Sequence, residues 1–166
     1  EAPTWEIEPQ ALKAVTHVIH AAALLFGERR EDYHRINVEG TGQLLRRIPD
    51  KARVLILSSQ SAGGPTPVGQ SWRDEANPDA PISYYGISKA EMEEEARSLR
   101  DCLFLRPPMV LGARDTATLP LFKLARQPLR VKPGFRDKVF SWIGVDDLVE
   151  AVWAGLKVAP RVLSGD

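Results

Sequence analysis

Tyr85 and Lys89 stand four residues apart in Tyr85-Gly86-Ile87-Ser88-Lys89. On a helix that spacing puts both on one face. A lysine ammonium beside a phenol stabilises the phenolate and pulls the tyrosine pKa below its unperturbed value of ~10. Upstream, the apolar run Val54-Leu55-Ile56-Leu57 ends in Ser58-Ser59. A serine hydroxyl delivered from that strand end would hold a carbonyl or alcohol oxygen against the phenol. Such a trio suits proton transfer coupled to hydride transfer at a carbinol carbon. Tyr84 lacks the lysine spacing and is expected to pack or line. A tyrosine and a lysine fall four apart on many helices, so the weight rests on what surrounds them.

The elements that must position these groups alternate. Ala11 to Val15 reads as a helix end and Val18 to Ala22 as a strand. Tyr33, Ile36, Val38, Thr41, Leu44, Leu45 and Ile48 recur at helical spacing, which predicts a helix over 32–47 with Asp32 as a cap near its start and Pro49 beyond its end. Arg53 to Ser58 is a continuous apolar strand of the kind buried on both faces. Residues 60–82, rich in Gly, Pro and Ser, read as a long loop, of the length that is usually functional or disordered. Ser83 to Leu99 is predicted helical, with Glu91, Glu93, Glu94 and Glu95 on a solvated outer face. Cys102 to Leu105 reads as a strand, Leu119 to Arg126 as a short helix, Val139 to Ile143 as a strand, and Val145 to Leu156 as a helix capped through Asp146 or Asp147. Strands alternating with helices imply crossover connections and one parallel sheet, an α/β doubly wound architecture.

Several segments, in order, resemble the extended short-chain dehydrogenase/reductase family, the NAD-dependent epimerase/dehydratases and their hydroxysteroid dehydrogenase and flavonol reductase relatives. They are Val18-Ile19-His20-Ala21-Ala22-Ala23, Asn37-Val38-Glu39-Gly40-Thr41-Gly42-Gln43-Leu44-Leu45, Leu57-Ser58-Ser59 followed by Gly63-Gly64, Tyr85 to Lys89, Arg106-Pro107-Pro108-Met109-Val110-Leu111-Gly112, and Val145-Asp146-Asp147-Leu148-Val149-Glu150-Ala151. The resemblance implies Tyr85 as general acid/base, Lys89 as the residue that lowers its pKa and holds the nicotinamide ribose, and Ser59 as the substrate-orienting serine, with Ser61 in reserve. It implies NAD or NADP contacts at His20, Ala21, Ala22, Asn37, Ser58, Tyr85, Lys89, Pro108 and Met109. Met109 stands where sugar-nucleotide members often carry asparagine, and Ala62-Gly63-Gly64 where many epimerases have Val-Tyr-Gly. Both departures lean towards a small non-nucleotide ketone or alcohol. A sugar-nucleotide epimerase or dehydratase, and a non-catalytic dinucleotide-binding scaffold, remain the alternative readings.

The family's opening G-x-x-G-x-x-G turn, which lets backbone approach a pyrophosphate at a helix N-terminus, has no counterpart here. The expectation is therefore a fragment whose first strand matches the family's fourth. A single partial Rossmann-type domain over 1–166 is expected, with part of the substrate-binding region near 113–143. On that expectation the chain alone binds NAD(P) weakly and tends to self-associate.

Composition bounds the rest. A chain of 166 residues that is 43% apolar and 27% charged suits one globular domain. Twenty-two basic residues balance 22 acidic ones, so no net field draws nucleic acid or an anionic membrane. The small-molecule substrate is the expected partner, homodimer formation is left open, and a cytoplasmic setting is the default. Cys102, a single cysteine in an apolar run, reads as a structural thiol. His17 and His20 lack a third ligand of suitable spacing, so no metal site is expected. Plainer roles exist for most candidates. Ser58 and Ser59 would satisfy backbone groups at a strand end, His20 and Asn37 would serve as supporting hydrogen-bonding residues, and Pro107-Pro108 would end a strand.

Overall fold

The computed structural model describes residues 12–116, 118–126 and 139–158. Strands β1 (His17–His20), β2 (Arg53–Leu57) and β3 (Leu103–Leu105) form a parallel sheet in the order β1-β2-β3. Val18 lies opposite Val54, and Leu55 opposite Leu103. Two further parallel strands, β4 (Met109–Leu111) and β5 (Trp142–Gly144), pair separately. The expected single sheet is thus interrupted after β3. Pro107 and Pro108 fall at that break, where proline cannot donate to a ladder. The strand expected over Val139 to Ile143 is displaced towards Gly144, and Val139 and Phe140 lie outside it.

Parallel neighbours require crossovers. The first runs through α1 (Arg30–Tyr33), a π-helical segment (His34–Glu39) and α2 (Gly40–Leu45). A continuous α-helix was expected here, and the widened π turn falls on Asn37, the buried polar residue of the stretch. Asp32 does not cap it. Arg29 occupies the cap position without a side-chain capping bond, and Asp32 sits inside the first turn paired with Arg29 and Arg35. The second crossover holds α3 (Gln60–Gly63), a one-turn helix inside the expected loop, and α4 (Tyr84–Leu99). Ser83 caps α4 by accepting from the Gly86 N–H at 3.0 Å. α5 (Leu119–Ala125) joins β4 to β5, and α6 (Val145–Val158) follows, with Asp146 and Asp147 in its first turn, where the helix dipole favours negative charge.

β2 is buried on both faces because its neighbours alternate with period two. Val54 and Ile56 pack with Val38, Leu45, Ile48, Met92 and Ala96 from the first crossover and α4. Leu55 points the other way, against Gly155 of α6, where an added Cβ would stand 2.7 Å from Leu55 Cδ1. Arg53 locks α6 to the sheet by donating to the Leu156 and Lys157 carbonyls. The result is helix, sheet and helix in three layers, with the C-terminal ends of β1 and β2 opening beside the start of α4. No helix among the described residues is long and apolar enough to cross a membrane.

Candidate active site

β2 ends by handing the chain to Ser58 and Ser59. Ser58 donates its backbone N–H to Leu105 O at 2.7 Å, which keeps it registered on β3. Its side chain is buried beside the Glu93 carboxylate, without full hydrogen-bond geometry. Ser59 caps α3, its Oγ accepting from the Ser61 N–H at 3.1 Å. With one lone pair held by the backbone, the Ser59 hydroxyl keeps its proton for another acceptor. The Tyr85 phenol is the nearby group on which that hydroxyl acts, favouring the phenolate against the effect of burial.

Tyr85 is brought against Ser59 by a close helix approach. Gly86 has no Cβ because one would collide with the Ser61 carbonyl oxygen. Gly64, at φ 85°, takes a conformation that favours glycine, with the Ala80 carbonyl where a Cβ would be. The Tyr85 ring meets Tyr33 edge-on, with centroids 6.4 Å apart. Burial pushes the Tyr85 pKa up, outweighing Ser59. This reverses the direction expected from Lys89 next door, and the reason is where the ammonium points. Lys89 is 1% exposed and donates from Nζ to the Leu57 carbonyl at 2.7 Å, with Met92 Sδ at 3.4 Å. Burial lowers its pKa to about 8, opposed by the nearby Glu93 charge.

Behind these groups runs a polar network. Asn37 is 1% exposed and fully committed: Oδ1 accepts from Leu24 N–H at 2.7 Å, and Nδ2 donates to Leu24 O and to Ser88 Oγ. Ser88 in turn donates to the Tyr85 carbonyl. Asn37 therefore holds the loop after β1 against the turn that carries Tyr85. Thr41 donates its hydroxyl to Asn37 O at 2.6 Å, so the same oxygen accepts from His20 Nε2 at 2.8 Å. That bond protonates His20 at Nε2 and leaves Nδ1 as a lone pair. Burial, then the Lys89 charge, lowers the His20 pKa to about 4. Ala21 and Ala22 follow as small exposed residues, Pro108 is half-buried, and Met109 opens β4, 39% exposed.

The sequence reading placed Glu93 on the solvated face of α4, and the structure corrects this. Glu91, Glu94 and Glu95 border solvent or pair with surface arginines, but Glu93 is buried. Arg106 meets it with a two-pronged fork, Nε to Oε1 and Nη2 to Oε2, both 2.8 Å, and Arg97 adds a bond at 2.7 Å. Arg106 also grips Asp79 through Nη1 at 2.8 Å and Nη2 at 2.6 Å. Burial alone would raise the Glu93 pKa, but these bonds hold it below the ordinary carboxylate value. The i, i+4 spacing of Glu93 and Arg97 was the one local signal available for this cluster. Cys102, its thiol pushed up to about 11 by burial, has no nucleophilic character. Among the described residues no group of three or more His, Cys, Asp or Glu is placed to hold a metal.

A nicotinamide cofactor fits this edge. Small exposed alanines line one strand end, a buried ammonium and a half-buried phenol lie beside it, and the supporting polar groups are already paired within the protein. The chain belongs to the NAD dependent epimerase/dehydratase family, which matches residues 7–164. It is similar to the ceramide reductase of Caulobacter vibrioides, 30% identical over 128 residues, covering 73% of this chain and 36% of the relative. It is also similar to the decarboxylating sterol-4-alpha-carboxylate 3-dehydrogenase of Candida albicans, 26% identical over 161 residues, covering 90% of this chain and 46% of the relative. Among solved structures it resembles MoeE5 in complex with UDP-glucose and NAD, with TM-score 0.76, 25% identity, and coverage of 94% of this chain and 57% of that one. The chain thus spans less than half the length of these two curated relatives.

Proposed function

We propose that this chain carries the acid–base centre of an NAD- or NADP-dependent oxidoreductase acting on a carbinol or ketone. The observation that supports the reading is the close approach of Gly86 to Ser61, which brings the helix turn carrying Tyr85 down beside Ser59 at the end of β2, with the buried Lys89 ammonium one helical turn further along. When bound, the nicotinamide supplies or accepts the hydride. Tyr85 gives its proton to the substrate oxygen during reduction and takes it back during oxidation. Its raised pKa keeps the phenol protonated at neutral pH, ready for the donating direction. Ser59, tied at its lone pair, donates to the same substrate oxygen and orients it. Lys89 supplies the positive charge that stabilises a phenolate when one forms, and the Leu57 carbonyl holds it in place.

The reductase and 3-dehydrogenase names of the two curated relatives support net redox chemistry. The likeness to MoeE5, solved with UDP-glucose and NAD, keeps a sugar-nucleotide epimerase or dehydratase as the second reading. There, hydride returns to the same substrate. Tyr85→Phe in the whole protein keeps the ring and deletes the proton. It should lower turnover by ~10²–10⁴-fold with cofactor affinity nearly unchanged. Near-normal turnover by that variant would assign proton transfer to another residue.

A further inference from the structure

We propose that Glu93, clamped by Arg106, is a positioning residue for the reaction at Tyr85: its carboxylate holds Lys89 in the ammonium form, seated at the end of β2. The proposal rests on the acid–base reading of Tyr85 and Lys89, and names the residue that keeps that lysine charged. Lys89 and Glu93 lie four apart on α4, hence on one helix face, and each is 1% exposed. A circuit through the sheet joins them. Lys89 Nζ donates to the Leu57 carbonyl at 2.7 Å, and the next residue, Ser58, donates its N–H to Leu105 O at 2.7 Å. Arg106 follows Leu105, and its fork returns to Glu93 with two bonds of 2.8 Å. The circuit closes one helical turn from where it began, with the Ser58 hydroxyl buried beside the carboxylate.

A buried ammonium loses its proton readily unless an anion lies near it. Burial pulls the Lys89 pKa down to about 8, and the Glu93 charge opposes that fall. The other titratable neighbours are neutral while Lys89 titrates. His20 of β1 is uncharged above about pH 4, and burial holds the Tyr85 phenol protonated beyond its ordinary range. Glu93 stays an anion throughout, because Arg106 after β3 and Arg97 of α4 bond it and keep its pKa below the ordinary carboxylate value. Asp79 takes the other side of the Arg106 guanidinium, so that arginine is shared between two carboxylates. A brace between α4 and β3 needs only an acceptor for Arg106. A carboxylate one turn from a buried lysine supplies charge as well.

The test is a pH titration of Lys89 in the whole protein, followed by NMR on isotope-labelled lysine ε-carbons, with its resonance assigned by loss in Lys89→Arg. Glu93→Gln keeps the shape and an acceptor for Arg106 but removes the charge. Lys89 should then titrate at about 7 instead of about 8, a roughly tenfold loss of proton affinity. Arg106→Ala breaks the clamp but leaves the anion, still held by Arg97, so Lys89 should titrate no lower than in the parent. Circular dichroism checks that both variants remain folded. A Lys89 titration unmoved by Glu93→Gln would overturn the proposal. Equal falls in both variants would overturn it too, reducing Glu93 to a brace whose charge is immaterial. Near-normal turnover by Tyr85→Phe is a separate failure. It removes the acid–base reading, and the part of Glu93 in it, even with the Lys89 titration still following Glu93.

Discussion

His20 shows how far a single side chain depends on its neighbours. Its Nε2–H is committed to Thr41, and burial with the Lys89 charge holds its pKa near 4. The unfolded chain takes up a proton at its usual pKa of ~6.5, which the folded protein refuses until about pH 4. Between those values the unfolded state binds more protons, so stability falls as pH drops through the window. His20→Gln, which can still donate to Thr41, should flatten that part of a melting-temperature profile. An unchanged slope between pH 6.5 and 4.5 would mean another group titrates there. The shared helix face of Tyr85 and Lys89 was legible from their spacing, whereas the choice of Ser59 over Ser58 came from resemblance to the family's serine segment. The direction of the Tyr85 pKa was not legible, because it depends on burial and on the Lys89 ammonium turning to Leu57.

At the scale of elements, the Arg106 fork joins α4, the end of β3 and the loop at Asp79. Removing Arg106 strands a buried carboxylate, which costs far more than losing a surface pair. Arg106→Ala should destabilise by about 3 kcal/mol, read from urea unfolding midpoints. Arg106→Lys should recover little of this, since an ammonium cannot make the planar two-pronged contact. Glu93→Gln combined with Arg106→Met should be milder than Arg106→Ala alone, because no charge is left buried. If the double variant were the worse of the two, the network would be contributing through its hydrogen bonds instead. The acidic run in α4 reads as solvated when only helical spacing is counted. Glu93 is buried because β3 and the loop return over that one position.

At the scale of the whole molecule, the three layers meet at Gly155. A side chain there would press on Leu55 and Leu103, 2.7 and 3.0 Å from its Cβ. Gly155→Val should lift α6 from the sheet and cost ~1–3 kcal/mol. Hydrogen exchange should show α6 amides losing protection while α4, on the opposite face, keeps its own. Equal loss in both helices would mean that the layers unfold as one unit.

Period-two and period-3.6 patterns state locally which residues face inward, so the parallel α/β architecture, the buried β2 strand, the α4 helix and the Tyr85–Lys89 face could be read from the chain alone. Order along the chain also carried the family, because its motifs recur in sequence. Three-dimensional packing alone decided the rest. Ser59 reaches Tyr85 because Gly86 lets α4 come down on Ser61. Asn37 serves as a brace because a π turn aims it at Leu24, and Glu93 is an interior anion because Arg106 arrives from β3. Each depends on segments distant in sequence meeting at short range, where burial and charge change energies that no local pattern records.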